Sequence, residues 1–314
     1  MDSPKLTEQQ KKLFVRQHYG IVGNHSAVKL CGWTRKSLHD KGVCYKQKFY
    51  GISCHRCMQC TPVVNFCTQN CKFCWRLGSY KNAKFKNWDN PKKIVEGMIE
   101  AQRKLISGFP GSECNMKKWE EAQNPKQVAI SLAGEPTLYP KLGELIDEFH
   151  KREMTTFLVT NGTLPEVLKN LKDLPTQLYV TLAAPDKKTF NELCKPNIED
   201  AWERLNETLK IFSNLKTKKV VRLTLVKDYN MHSPEKYAEL IKKANPDFVE
   251  VKAFMSIGGA RKRMGLDFMP YHEEVKEFSE KLSKYLEMPI ADEQVESRVV
   301  LLTNLPRNQW IAKN

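Results

Sequence analysis

Residues 65–75 read NFCTQNCKFCW and set Cys67, Cys71 and Cys74 at gaps of four and three. An apolar run, 63–67, leads into them, so the spacing predicts a strand that ends in a thiol-bearing loop. Three thiolates on one loop can hold three irons of a [4Fe–4S] cube and leave the fourth iron open. A structural zinc ion would ask for a fourth Cys or His, and a catalytic one for an activated water.

Beyond this loop, short apolar runs alternate with helical patterns. The runs are 63–67, 128–132, 156–160, 178–183, 220–226 and 248–254, with a seventh at 298–303. Helical periodicity and caps mark 91–107, 139–151, 200–214, 234–243 and 271–287. β-branched strands alternating with amphipathic helices predict βαβ units around a parallel sheet with right-handed crossovers. Six such units predict an α/β fold, an incomplete (β/α)6 TIM-like barrel, in preference to a closed eightfold barrel or a doubly wound sheet. Residues 1–62 read as a cysteine-rich N-terminal extension organised by metal ligands rather than by a large core, and 63–314 as the barrel with C-terminal elements. Residues 108–125 show little periodicity and predict a surface excursion.

The chain of 314 residues is 41% hydrophobic and 28% charged, which fits a globular protein. No apolar window approaches a membrane span, and the polar N-terminus predicts neither signal nor transit peptide, hence a cytoplasmic location. Lys and Arg number 51 against 36 Asp and Glu, a formal net charge of +15 that attracts polyanions. Eight of ten cysteines fall between Cys31 and Cys74, a crowding that predicts metal ligation rather than disulfides.

After the second predicted strand stands SLAGEPTL, with Gly134, Glu135 and Pro136. After the third stands LVTNGT, with Thr160, Asn161 and Gly162. Functional groups gather at the carboxyl ends of barrel strands because loops there vary without disturbing the core. The three strand-end motifs together resemble the radical S-adenosylmethionine (SAM) superfamily. That resemblance implies an open iron that chelates SAM and cleaves it to a 5′-deoxyadenosyl radical. Glu135 and Asn161 are then SAM contacts, with Thr181 at the fourth strand a further candidate.

Upstream lie Cys31, Cys44, Cys54, Cys57 and Cys60. Their context (HSAVKLC, the FYGI run, CHRCMQ), followed by FCWR, SLAGEPTLYP, FLVTNG and a terminal RVVLL, resembles the tRNA 4-demethylwyosine synthase family over most of the chain. The resemblance implies a second [4Fe–4S] cluster on Cys31, Cys44 and Cys57, with Cys54 and Cys60 near enough to replace one of them. It implies a reaction joining N1-methylguanosine, 3′ of the anticodon in tRNA(Phe), to two carbons of pyruvate. A lysine amine can hold such a ketone as a Schiff base. Lys41 is the candidate, and Lys36, Lys46 and Lys48 compete with it. The length resembles the short archaeal form, implying a separate electron donor and a monomer.

RNA binding rests on phosphate contacts and base stacking. Arg76, Lys84 and Lys86 near the triplet, and Arg261, Lys262 and Arg263 in GGARKRMG, are the predicted contacts. Two other readings compete. One is a radical SAM enzyme acting on another RNA base or on a protein. The other is a zinc-ribbon nucleic-acid-binding protein built on Cys54, Cys57, Cys71 and Cys74.

Overall fold

In the computed structural model, which describes residues 6–76 and 87–310, the strands form one continuous ten-stranded sheet. They are β1 Tyr19–Val22, β2 Ser26–Lys29, β3 Cys57–Thr61, β4 Gln127–Ile130, β5 Thr155–Thr160, β6 Gln177–Thr181, β7 Lys218–Leu225, β8 Phe248–Ala253, β9 Ile290–Gln294 and β10 Val299–Leu302. Strands β3 to β8 pair in sequence order and in parallel, which is the expected six-unit partial barrel. The order β1-β2-β3-β4-β5-β6-β7-β8-β10-β9 is linear, and both outer pairs of strands attach antiparallel.

The helices are α1 Glu8–Arg16, α2 Gly32–Leu38, α3 Tyr45–Tyr50, α4 Pro91–Ile106, α5 Met116–Ala122, α6 Leu142–His150, α7 Pro165–Lys169, α8 Lys187–Cys194, α9 Ala201–Phe212, α10 Pro234–Ala244, α11 Ala260–Arg263 and α12 His272–Leu286. Helix α4 shows why they form where they do. Asn90 caps it by accepting from the Lys92 and Lys93 N–H groups, and Pro91 occupies the first turn, where no amide is missed. Ile94, Val95, Met98 and Ile106 then fall on one buried face.

Side chains alternate across the parallel strands, which divides the apolar residues into two sets. Met58, Cys60, Val128, Ile130, Leu158, Leu178, Val180, Val221, Val249 and Val251 pack in the larger core with the helices. Their neighbours Phe157, Tyr179, Val220 and Phe248 face the other way, into the barrel, where they meet Tyr45, Phe49 and Tyr50 of α3. Helix α3 therefore plugs the barrel from within.

Three expectations change. The first strand is Cys57–Thr61, not 63–67, and the boundary expected at residue 62 follows directly after it. Asn65 takes a left-handed φ of 68°, and the Phe66 N–H turns back to the Val63 carbonyl at 3.3 Å, so Val63, Val64 and Phe66 are buried in a turn rather than a strand. The N-terminal segment adds β1 and β2 to the sheet, and Phe14, Tyr19 and Val28 join the main core. Within 108–125, Asn115 caps the short helix α5 through the Lys118 N–H; only Ala122 of that helix is buried, too little to leave a periodic signal.

Candidate functional site

The loops after β3, β4 and β5 leave the same end of the sheet, and the sequence ties them together. The Glu135 N–H donates to the Phe66 carbonyl at 2.7 Å, and the Asn65 N–H to the Ala133 carbonyl at 3.1 Å. Gly134 sits at φ +107°, where a Cβ would run into the Val63 and Phe66 carbonyls. Only glycine allows so close an approach in that conformation.

The Glu135 carboxylate, 2% exposed, accepts the Thr137 N–H at 3.2 Å, the Thr137 and Thr160 hydroxyls at 2.7 Å each, and the Asn161 N–H at 2.8 Å. Burial raises its pKa, and those donors oppose the rise. Its Oε1 takes three of the donors and Oε2 one, so Oε2 keeps a lone pair for an ammonium group. Asn161 Nδ2 donates to Thr68 Oγ1 at 2.9 Å and lies 3.6 Å from Cys67 Sγ. Thr181 ends β6, half-buried, at the same end of the sheet.

The thiol loop is held from behind and above. The Asn70 and Lys72 N–H groups donate to the Cys194 and Leu193 carbonyls at 3.1 and 2.9 Å, and the Asn197 N–H donates to the Thr68 carbonyl at 2.7 Å. From the far side, the Gly259 N–H reaches the Trp75 carbonyl at 2.6 Å, and Phe73 packs on the apolar group of Phe254, Ala260 and Met264. Arg263 donates to the carbonyls of Lys72 at 3.1 Å, Arg76 at 3.0 Å and Cys74.

Arg76, 5% exposed, donates from Nε to Cys74 Sγ at 3.0 Å and from Nη2 to the Gln69 carbonyl at 2.8 Å. Burial opposes its charge, but Cys74, Cys67 and Cys71 more than reverse that and raise its pKa. Arg76 and Arg263, expected at RNA phosphate, both donate to the thiol loop, Arg76 from a buried position and Arg263 from an exposed one. Lys84 and Lys86 lie outside the described residues, whereas Arg261 and Lys262 are exposed on α11.

These residues fit an iron–sulfur cube. Three thiols surround a buried, permanent cation whose Nη1 has no hydrogen-bond partner among the described residues, and cluster sulfides would accept from it. Among the described residues no three Cys, His, Asp or Glu side chains converge closely enough for one metal ion. A cube, which takes each thiolate at a different iron, asks for a wider triangle.

The second thiol group gathers at the opposite end of β3. Cys31 and Cys44 immediately precede α2 and α3, and Cys57 opens β3. Burial pushes Cys44 up to about 11 with Cys31 adding to the shift, and pushes Cys54 up to about 12 with Cys44 next in effect, so Cys54 shares this neighbourhood. Cys60 faces the helix layer, its pKa raised by burial alone, and belongs to the core rather than to either thiol group. Cys54 with Cys57 and Cys71 with Cys74 therefore stand in separate groups, which removes the four-cysteine zinc ribbon. One strand of five residues, roughly 13 Å at 3.3 Å per step, separates the two groups.

Among the lysines, Lys41 is exposed in the turn before α3 and Lys36 is exposed against the Trp33 ring. Lys48 pairs with Asp292 at 2.8 Å. Lys46 differs from all three. It is 7% exposed and points into the barrel, with Nζ 4.3 Å from the Phe157 ring centroid and 4.5 Å from that of Tyr179. Burial, and after it the Arg222 charge, lower its pKa to about 8 against the opposing effect of Glu250, Cys57 and Cys44. The expected catalytic position, Lys41, is exposed, whereas its competitor Lys46 is buried inside the barrel.

The radical SAM superfamily model matches residues 61–241, and the wyosine base formation model matches 243–304. The chain is 53% identical over 307 residues to the S-adenosyl-L-methionine-dependent tRNA 4-demethylwyosine synthase of Pyrococcus abyssi, covering 96% of this chain and 90% of that protein. It is 40% identical to the Methanocaldococcus jannaschii enzyme, covering 95% and 97%. The Homo sapiens enzyme is 35% identical over 95% of this chain, which matches 41% of that longer protein. Among solved structures, TYW1 with a lysine–pyruvate adduct bound superposes with a TM-score of 0.88 at 39% identity, covering 98% of this chain and 99% of that one. An archaeal TYW1 crystal structure gives 0.78 at 37% identity over the same shares. The chain belongs to the S-adenosyl-L-methionine-dependent tRNA 4-demethylwyosine synthase family of the radical SAM superfamily.

Proposed function

We propose that the protein condenses N1-methylguanosine in tRNA(Phe) with two carbons of pyruvate, using two [4Fe–4S] clusters, one on Cys67, Cys71 and Cys74 and the other on Cys31, Cys44 and Cys57. The observation that carries this reading is the placement of Lys46, inside the barrel against Phe157 and Tyr179 and close to the Cys44 and Cys57 thiols. Cys67, Cys71 and Cys74 would hold the cluster and Glu135 and Asn161 the SAM, which together would supply radical chemistry toward the N1-methyl group.

The chain's own residues do the rest. Glu135 and Asn161 bind the three loops into one surface, with Glu135 Oε2 available to the SAM ammonium; Thr181, at the end of the neighbouring strand β6, is the further SAM contact. Lys46 Nζ attacks the ketone carbon of pyruvate, and the ketone oxygen leaves as water, giving a Schiff base fixed at one end of the barrel. The solved TYW1 structure with a lysine–pyruvate adduct supports an amine in this role. Burial among Phe157, Tyr179 and α3 keeps bulk water from returning the imine to ketone. The segment ahead of the barrel, expected to span residues 1–62, then delivers the auxiliary ligands and Lys46, and through β3 (Cys57–Thr61) it also supplies the first parallel strand of the SAM-binding barrel that continues over 63–314. Arg261 and Lys262 meet the tRNA backbone at the mouth.

No helix among the described residues is long and apolar enough to cross a membrane. We place the enzyme in the cytoplasm as a monomer served by a separate electron donor.

The test is to incubate reduced, anaerobically reconstituted protein with SAM, isotope-labelled pyruvate and methylated tRNA(Phe). A tricyclic nucleoside carrying the label supports the reading. SAM cleavage with unlabelled, unchanged tRNA overturns it.

A further inference from the structure

Inside the barrel one acid faces several bases. Glu250 is fully buried on β8 and accepts from the Tyr50 hydroxyl at 2.8 Å, the Tyr45 hydroxyl at 3.1 Å and Arg222 Nε at 2.9 Å. Arg222 on β7 also donates from Nη2 to the Tyr45 hydroxyl at 2.8 Å. Lys46 and Lys252 complete the group, and Lys252 donates to the Ser297 carbonyl at 2.6 Å. Three basic side chains thus share one carboxylate, whose Oε1 accepts from Tyr50 and Oε2 from Tyr45 and Arg222, with the Cys44 and Cys57 thiols beside Lys46. A basic group buried this deeply needs a hydrogen-bonded acid or anion against it.

The geometry narrows where that anion sits. The Arg222 guanidinium carbon lies 4.5 Å from the Tyr179 ring centroid, and Lys46 Nζ lies 4.5 Å from the same centroid. Both basic groups therefore pack against the same ring. Arg222 spends Nε and Nη2 on Glu250 and Tyr45, so Nη1 has no recorded partner among the described residues. A guanidinium pinned on one edge and free on the other presents a rigid donor to a carboxylate.

We propose that Arg222 binds the carboxylate of the keto acid whose carbonyl condenses with Lys46, so that the barrel selects 2-oxo acids over neutral ketones. This inference rests on the Lys46 reading and deepens it. It gives Arg222 a ligand-binding role beside its role as counter-ion to the buried Glu250.

The experiment measures borohydride-trapped adduct by intact mass on the anaerobic holoenzyme, as a function of pyruvate or of pyruvamide, which is its neutral isostere. In the wild type, pyruvate should half-saturate at a concentration lower than pyruvamide by at least about tenfold, the worth of one charge-assisted hydrogen bond. In Arg222→Gln that preference should disappear while trapping persists at high ketone. Because the single variant strands Glu250, the paired Arg222→Met/Glu250→Gln protein, which removes both charges, is measured beside it and should behave alike. Equal half-saturation by pyruvate and pyruvamide in the wild type overturns the proposal without any variant. So does an unchanged preference in the paired variant. No adduct in the wild type with either ketone removes the Lys46 reading itself, a distinguishable result.

Discussion

The Asn161 backbone N–H donates to the Glu135 carboxylate at 2.8 Å across a sequence separation of 26 residues. Through Asn161 Nδ2 the same link reaches Thr68 and the edge of Cys67. The carboxylate is therefore a three-way joint between the loops that follow β3, β4 and β5. Glu135→Gln turns an acceptor oxygen into an amide that faces other donors. It should lower the unfolding free energy by about 1–3 kcal/mol, the cost of buried groups left unpaired. Urea unfolding of the anaerobic protein reads this, and an unmoved midpoint would contradict it.

The lysine assignment separates cleanly. Lys46→Ala should abolish the borohydride-trapped pyruvate adduct, whereas Lys41→Ala should leave its yield unchanged, since Lys41 stands exposed outside the barrel. Peptide mapping of the trapped mass checks the position directly. An adduct that survives Lys46→Ala would return the role to another amine.

Each thiol group predicts its own spectroscopic loss. Alanine at Cys67, Cys71 and Cys74 should remove about four irons and all reductive SAM cleavage. Alanine at Cys31, Cys44 and Cys57 should remove about four irons and leave SAM cleavage in place. Iron assay and low-temperature paramagnetic resonance measure both. Alanine at Cys60, a core residue, should leave the iron count alone.

The basic helix α11 divides by function. Arg263→Gln should speed chelator-driven iron loss from the Cys67 group severalfold, because three carbonyls of that loop lose their donor. Glu at Arg261 and Lys262 should instead weaken tRNA binding and flatten its salt dependence by roughly two units of slope. The expectation fails if Arg263→Gln behaves like the outer pair, with tRNA affinity lost and iron retained.

A buried histidine predicts a pH limit. His25 is fully buried, donates from Nδ1 to the Pro62 carbonyl at 2.5 Å and accepts the Asp89 N–H on Nε2 at 3.0 Å, so it is held neutral. Burial lowers its pKa, and the Pro62 bond and nearby Asp89 charge oppose the shift. The unfolded chain takes up a proton near pH 6.5 and the folded one resists. Stability from this group is therefore complete above about pH 6.5 and falls as pH drops below it. Thermal midpoints of wild type and His25→Gln from pH 8 to pH 5 should show the smaller decline in the variant.

The parts of this design that were legible in the sequence are those carried by local spacing. Cysteine gaps, strand-end motifs and helix caps act within a few residues, and the six parallel strands follow from them apart from the first. That strand was displaced because Val63, Val64 and Phe66 are apolar for the sake of a buried turn, which composition alone does not distinguish from a strand. Arg76 looked like an RNA contact because basic and aromatic residues surround it in sequence; its burial depends on loops from β8 and α8 that are distant in the chain. Lys46 left a trace that could have been read. At steps of three and four it shares a helical face with Phe49 and Tyr50, and a lysine on an apolar face is one that will be buried. Arg222 and Glu250 left none, since only the β7–β8 register makes them neighbours.

The linear sheet has one more consequence. A partial barrel of parallel strands leaves two raw edges, each a template for another chain to add on. Here both are sealed by short antiparallel additions: β1, of four residues, ends one side, and β9, of five, ends the other. On β9, Asp292 is ringed by Lys48 at 2.8 Å and Arg307 at 3.0 Å, a charged border that discourages strand-by-strand growth.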